Sequence, residues 1–176
     1  MIIAVTGGTG FFGSHLIKGL LDYGHHVILL KRSTSDLWRI KEFVSEVDMF
    51  DIDVTPLSVL YNRHSKINAC IHTATDYGHA HNNIHNIFQT NVSLPFRLLS
   101  SLHSTGCKVF INTDTFYTFS QVQHDYMHMK TYILTKKHFR EIGEKFSSLG
   151  NIKFINMKLF HLYGTMDGDK KFTTTP

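Results

Sequence analysis

The chain has 176 residues, 42% of them apolar and 18% charged, with a formal charge of +4. That length suits one domain with a substantial core, and no apolar run is long enough to span a bilayer or resembles a cleavable leader, so a soluble cytoplasmic protein without membrane contact is expected. The basic residues, among them Lys136, Lys137, Arg140 and Lys145, are scattered without a basic helix or aromatic ladder. That argues against nucleic acid and leaves small anionic ligands open.

Ile2 to Val5 reads as a short apolar strand running into Thr6-Gly7-Gly8-Thr9-Gly10-Phe11-Phe12-Gly13. A helix follows near 12–23, with Leu16, Ile17, Leu20 and Leu21 at helical spacing. This is the form of a dinucleotide-binding turn. Gly7 permits the strand-to-helix reversal, Gly10 lets the backbone approach a pyrophosphate, and Gly13 lets the helix pack on the strand; Phe11 and Phe12 belong to the same turn, whose N–H groups and helix dipole face the anion.

The next elements are a strand near 27–31, a helix near 35–44, a strand near 47–50 and helical residues near 56–64. A strand at 69–73, a long helix near 83–105, a strand at 108–112, a helix near 130–148 and a strand at 153–159 complete the pattern. Strands separated by helical segments require right-handed crossovers. The expected fold is therefore α/β, a doubly wound parallel sheet covered on both faces. Cys70 and Cys107 lie in apolar runs and read as buried thiols. The 13 histidines include the neighbours His25 and His26, His79 and His81, and His124 and His128, but no ligand spacing, so no metal site is expected.

After the second strand comes Lys31-Arg32-Ser33. NAD-binding proteins of this fold place an acid at the first of these positions to accept hydrogen bonds from the adenosine ribose. Lys31, Arg32 and Ser33 would instead attract a 2′-phosphate, which makes NADP(H) the preferred cofactor and leaves NADH as the second choice. Further on, Tyr132 and Lys136 stand four apart on a helix and share a face, as do Tyr126 and Lys130.

Taken in order, Thr6 to Gly13, Asp51-Ile52, Ile71-His72-Thr73-Ala74, Asn91, Asn112 to Tyr117, Tyr132 with Lys136, and Leu159 to Gly164 resemble the extended short-chain dehydrogenase/reductases. That group includes the nucleotide-sugar epimerases, dehydratases and 4-ketoreductases. The resemblance implies a Rossmann fold in which Asp51 and Ile52 contact the adenine, while Thr73 and Ala74 line the wall beside the pyrophosphate and ribose. It implies that Tyr132 exchanges a proton with the sugar oxygen and that Lys136 holds the nicotinamide ribose. With an oxidised nicotinamide nearby, the lysine would also lower the phenol's pKa. Thr113 would align the substrate oxygen, and Asn91 would sit close to the lysine. Tyr132 is preferred to Tyr126 because Thr135 precedes its lysine, as a Ser or Thr usually does in the group. His72 is expected to be a packed residue rather than a proton carrier.

Two departures shape the functional expectation. Asp114 is followed by Thr115 where the dehydratases carry glutamate, and Thr118 replaces the usual glycine. Reduction of a 4-keto sugar, or epimerisation through a keto sugar, is therefore expected over dehydration. The group generally continues well beyond the Tyr163-Gly164 corner, so residues 1–165 are expected to form the NAD(P)-binding domain, residues 166–176 an irregular, truncated terminus, and the C-terminal substrate lobe to be missing. The function implied is an NADP(H)-dependent oxidoreductase or epimerase, above all a 4-keto-sugar reductase, acting on a nucleotide-activated deoxysugar in surface polysaccharide synthesis. A homodimer through the helices carrying Asn91 and Tyr132 is implied as well. The alternatives are a catalytically silent, truncated cofactor-binding remnant and a redox-sensing binding protein on the same fold.

Overall fold

In the computed structural model, which describes residues 1–64, 66–78, 83–103, 105–119, 129–150 and 152–168, the apolar runs form six strands. These are β1 (Ile2–Thr6), β2 (His26–Lys31), β3 (Asp48–Asp51), β4 (Ala69–His72), β5 (Val109–Thr115) and β6 (Lys153–Leu159). Every pairing is parallel, in the order β3-β2-β1-β4-β5-β6. The order reverses between β1 and β4. That places a ligand crevice beyond the carboxyl ends of those two strands.

Alternation along the strands explains the two covered faces. Ile3, Val5, Val27 and Leu29 pack with Ile17 of helix α1 (Phe11–Asp22), whereas Ala4, Ile28, Leu30 and Phe50 pack with Leu60 of α2 (Leu57–Arg63) and with the later helices. Each strand therefore buries both of its side-chain sets, as a parallel sheet under helices requires. Leu29 is fully buried; truncating such a residue to alanine costs about 2–5 kcal/mol.

The helix expected over 35–44 does not form. In its place are two 3₁₀ turns, Trp38–Ile40 and Val44–Glu46. Leu37, Ile40 and Phe43 pack on the α1 face of the sheet at a spacing of three, which suits a 3₁₀ turn, and the Asp36 carboxylate accepts the Trp38 N–H at 3.0 Å. The long helix expected over 83–105 forms from Ile84 to His103 without a gap, but it is not regular α throughout. Asn83 caps α3 (Ile84–Phe88) by accepting the His85 and Asn86 N–H groups; a π turn, Gln89–Ser93, then leads into α4 (Leu94–His103). β5 runs three residues past the expected end because Thr113, Asp114 and Thr115 keep pairing with Met157, Lys158 and Leu159. α5 (Lys130–Ser148) packs between β5 and β6 and the π turn. Cys70 and Cys107 are buried free thiols. Among the described residues, no helix is long and apolar enough to cross a membrane. The tail after residue 168, and Tyr126 of the alternative tyrosine–lysine pair, lie outside the described residues.

Candidate active site

The carboxyl ends of the central strands open into a cleft of about 1040 Å³. One wall is the glycine turn. Gly7 has φ +70°, and a Cβ there would lie 2.4 Å from the Ala74 nitrogen; a Cβ on Gly13 would lie 2.2 Å from the Gly7 carbonyl oxygen. No side chain fits at either position. The Gly10 N–H donates to Gly7 O at 3.0 Å and closes the turn. Helix α1 then starts at Phe11 with no side-chain cap and no acid in its first turn, so its leading N–H groups and positive dipole end are open to an anion. A bare backbone cradle at a helix N-terminus fits a pyrophosphate. Phe11 and Phe12 line the cleft beside it.

At the end of β2 the three residues expected to bind a 2′-phosphate differ in their freedom. The Lys31 ammonium lies 3.1 Å from the Asp51 carboxylate, and the Ser33 hydroxyl donates to the same oxygen at 2.9 Å. Desolvation pulls the Asp51 carboxyl upward. The Asp53 N–H, the Ser33 hydroxyl and the Lys31 ammonium together outweigh that and hold it below the usual range. The exposed Arg32 guanidinium has no ion-pair partner among the described residues; its backbone is engaged, the N–H donating to the Ser35 hydroxyl at 3.1 Å and the carbonyl accepting from the Ser35 N–H at 3.1 Å and the Lys31 ammonium at 3.2 Å. Ile52 continues this wall. Thr73 donates through its hydroxyl to Thr6 O at 2.7 Å, and the Ala74 N–H reaches the Thr6 hydroxyl at 3.4 Å, which seats the loop after β4 behind the glycines.

The opposite wall carries Tyr132 and Lys136, one turn apart on α5 and both buried. Lys136 donates to the Thr113 carbonyl at 2.9 Å, and burial lowers its pKa from 10.5 to about 8 against the opposing pull of Asp114. Burial raises the Tyr132 phenol above its ordinary value. A hydrogen bond with Thr115 lowers it, while Tyr77, Asp114 and Tyr117 push it higher. In the chain itself, then, burial sets the phenol, and Lys136 is turned to a carbonyl.

Thr113 and Thr115 point to the same face of β5, two residues apart, and both line the cleft. The Thr113 hydroxyl donates to His72 O at 3.0 Å; the Thr115 hydroxyl is the one that meets the Tyr132 phenol, and it also accepts the Tyr117 N–H at 3.3 Å. In the sequence Thr115 stands out only as the residue in place of the dehydratases' glutamate. The period of two in a strand that outlasts residue 112 was the available signal. Asp114, on the other face, is fully buried, held by Asn156 at 2.9 Å and by Arg140 at 3.8 Å.

Asn91 reaches the site indirectly. Its carbonyl accepts the Asp76 N–H at 2.9 Å, and its amide donates to Asp76 O at 2.9 Å and to the Thr135 hydroxyl at 3.1 Å. It thus ties the loop after β4 to the residue before Lys136 rather than to the lysine. Among the described residues, Asn91, Ser33 and Asp51 do not form part of the cleft wall. His72 is buried between Phe110 and Phe139 with its Nδ1 2.7 Å from the Thr6 hydroxyl; burial, and then the nearby Lys136 charge, hold its pKa well below 6.5. It is a neutral packed residue, as expected. At the far rim Phe116 stacks on Phe160, and His161 meets its edge. This aromatic rim was not anticipated from the sequence.

Comparison with known proteins extends these observations. The model of the NAD dependent epimerase/dehydratase family matches residues 3–175. CDP-abequose synthase of Salmonella typhimurium is 35% identical over 175 residues, covering 97% of this chain and 56% of that protein. The protein of the same name from Salmonella muenchen is 34% identical over 166 residues, covering 94% and 54%. The chain thus spans about half the length of the curated relatives it matches. UDP-glucose 4-epimerase of Thermotoga maritima, solved with UDP-glucose, superposes with a TM-score of 0.81 at 20% identity over 97% of this chain and 59% of that one. UDP-glucuronic acid 4-epimerase of Bacillus cereus, solved with NAD, gives 0.79 at 21% identity over 99% and 60%. These two likenesses show the shared fold. Since the family match runs nearly end to end and the relatives are similar over almost the whole chain, the resemblance read in the motifs is membership: the chain belongs to the NAD dependent epimerase/dehydratase family.

Proposed function

We propose that the chain, with residues 1–165 as its dinucleotide-binding domain, is an NADP(H)-dependent reductase of a nucleotide-activated 4-keto sugar, working in the cytoplasm in surface polysaccharide synthesis. The observation that carries the reading is the buried Tyr132–Lys136 pair on the cleft wall facing the glycine turn. A bound nicotinamide dinucleotide supplies the hydride. Gly7, Gly10, Phe11, Phe12 and Gly13 hold its pyrophosphate, Thr73 and Ala74 back it, Asp51 and Ile52 border the adenine, and Lys136 takes the ribose hydroxyls. Arg32 is the first ligand for a 2′-phosphate, with Lys31 and Ser33 in support.

Tyr132 donates its phenolic proton to the sugar oxygen as the carbonyl carbon gains hydride, which leaves phenolate and alcohol. The Thr115 hydroxyl is placed to donate to that phenolate, and Lys136 favours the same charge. Thr113 aligns the sugar oxygen by exchanging its bond to His72 O for one to substrate. A threonine hydroxyl at 115 does not replace a carboxylate base, which supports reduction over dehydration. Because the relatives' name contains a CDP-linked sugar, CDP is the first nucleotide to test. Exposed Phe88, Phe96 and Leu134 on α3, α4 and α5 support a homodimer through those helices.

The test follows NADPH consumption with a CDP-linked 4-keto sugar and runs NADH in parallel. Turnover with NADPH that disappears in Tyr132→Phe is the expected result. Cofactor binding without turnover on any 4-keto sugar nucleotide would instead support the silent remnant, and tighter NADH than NADPH binding would refute the cofactor assignment.

A further inference from the structure

At the other end of the sheet from the cleft, three side chains that are far apart in sequence converge. His26 opens β2, Asp48 opens β3, and His64 is the C-cap of α2. His26 shares a strand face with Ile28, and Asp48 shares one with Phe50; both apolar residues pack toward α2, so period-two alternation turns His26 and Asp48 to the side from which His64 arrives. The Nε2 atoms of His64 and His26 lie 3.0 and 3.8 Å from the same Asp48 oxygen, and one ligand atom from each of the three lies within 4.8 Å of the others. We propose that His26, Asp48 and His64 form a binding site for a divalent transition metal of the zinc class, about 16 Å along β2 from the cofactor cleft.

The geometry supports a metal because tetrahedral coordination at bonds of about 2.0–2.1 Å separates adjacent ligand atoms by about 3.3 Å. The two separations to Asp48, 3.0 and 3.8 Å, straddle that value. His26 is half exposed and Asp48 over a third exposed, so each can turn to close on an ion, and solvent has access to the fourth position. Two imidazoles and one carboxylate without a thiol suit Zn²⁺, Co²⁺ or Ni²⁺ and not Mg²⁺ or Ca²⁺. The competing reading is a pair of ion pairs in which protonated histidines flank Asp48. The two differ in protons: metal needs both imidazoles neutral and releases any proton they carry. A bound ion would join the leading ends of two strands to the end of α2 and stabilise the folded chain by mass action. Residue spacing could not reveal the site, since its ligands sit 22 and 16 residues apart on three elements.

The experiment is calorimetric titration of chelator-treated chain with ZnCl₂, repeated with MgCl₂, alongside thermal unfolding with and without zinc. The expected result is one zinc equivalent per chain with a raised Tm, and no response to magnesium. Asp48→Asn and His26→Gln should each weaken that equivalent by at least about tenfold, while His138→Gln on the exposed face of α5 leaves it unchanged. His26→Gln keeps the closer Asp48–His64 contact, so that variant stays folded whatever Asp48→Asn does. Absence of a zinc equivalent, or an equivalent retained in His26→Gln, overturns the proposal.

Discussion

Lys136 offers a prediction that needs neither substrate nor cofactor. Its ammonium is buried, it donates to the Thr113 carbonyl, and among the described residues no carboxylate lies within ion-pair distance. Its pKa falls from 10.5 to about 8 because burial penalises the charge more than Asp114 favours it. Below about pH 8 the lysine is protonated in both folded and unfolded chains, and the fold carries the full penalty. Between about 8 and 10.5 the unfolded chain binds more protons, so this group makes stability rise with pH. A displacement of about 2.5 units at about 1.4 kcal/mol each amounts to ~3.5 kcal/mol, of which ~2 kcal/mol develops by about pH 9.5. Lys136→Met removes the titration and keeps much of the side-chain volume. Urea unfolding of both proteins from about pH 7 to about 9.5 should show the original chain gaining on the variant by ~2 kcal/mol. The raised thiols of Cys70 and Cys107 and the raised Tyr132 phenol act in the opposite sense, but they are common to both proteins and leave the difference curve. A flat difference would refute the buried, easily deprotonated lysine.

Tyr132→Phe should lower kcat by about 100- to 10,000-fold with NADPH affinity nearly intact, the range for loss of a general acid; Thr115→Val should lower kcat less and move the phenol's limb of the pH–rate profile upward, because the hydrogen bond that lowers the Tyr132 pKa is gone. Arg32→Ala should weaken NADPH binding by roughly 1.5–3 kcal/mol, or on the order of 10- to 150-fold by calorimetry, and leave NADH binding unchanged. Gly13→Ala should abolish binding of either cofactor, since the new Cβ meets the Gly7 carbonyl at 2.2 Å and backbone on both sides cannot yield.

The parts of this protein legible in its sequence are those set by local pattern. Apolar runs marked the strands, and the spacing Gly7, Gly10, Gly13 marked the turn, where backbone closeness leaves no room for a side chain at Gly7 or Gly13. What could not be read depends on contacts between distant segments. Lys31 reads as a free cation beside Arg32; only the pairing of Lys31 with Asp51 in the register of β2 and β3 shows that its charge is already met. The helical reading of 35–44 failed for a related reason: apolar residues at 37, 40, 43 and 44 satisfy a helical period loosely, and packing against the sheet selected the tighter turns.

The π turn shows how one residue outside a site can shape it. Pro95 follows Asn91 by four positions and has no N–H, so the Asn91 carbonyl would lack a partner in a regular α-helix. The helix widens just before it, with Leu94 donating to Gln89 five residues back. Asn91, within the widened turn, is buried and bonds to both Asp76 and Thr135. Thr135 in turn donates to the Tyr132 carbonyl at 2.9 Å, so the loop after β4 and the helix bearing Tyr132 and Lys136 are held by one side chain. The proline, which costs the helix an N–H, and the polar residue four positions earlier therefore form a single device. Its effect on the cleft is to fix the wall that carries the proposed proton donor relative to the strand ends that carry the glycine turn.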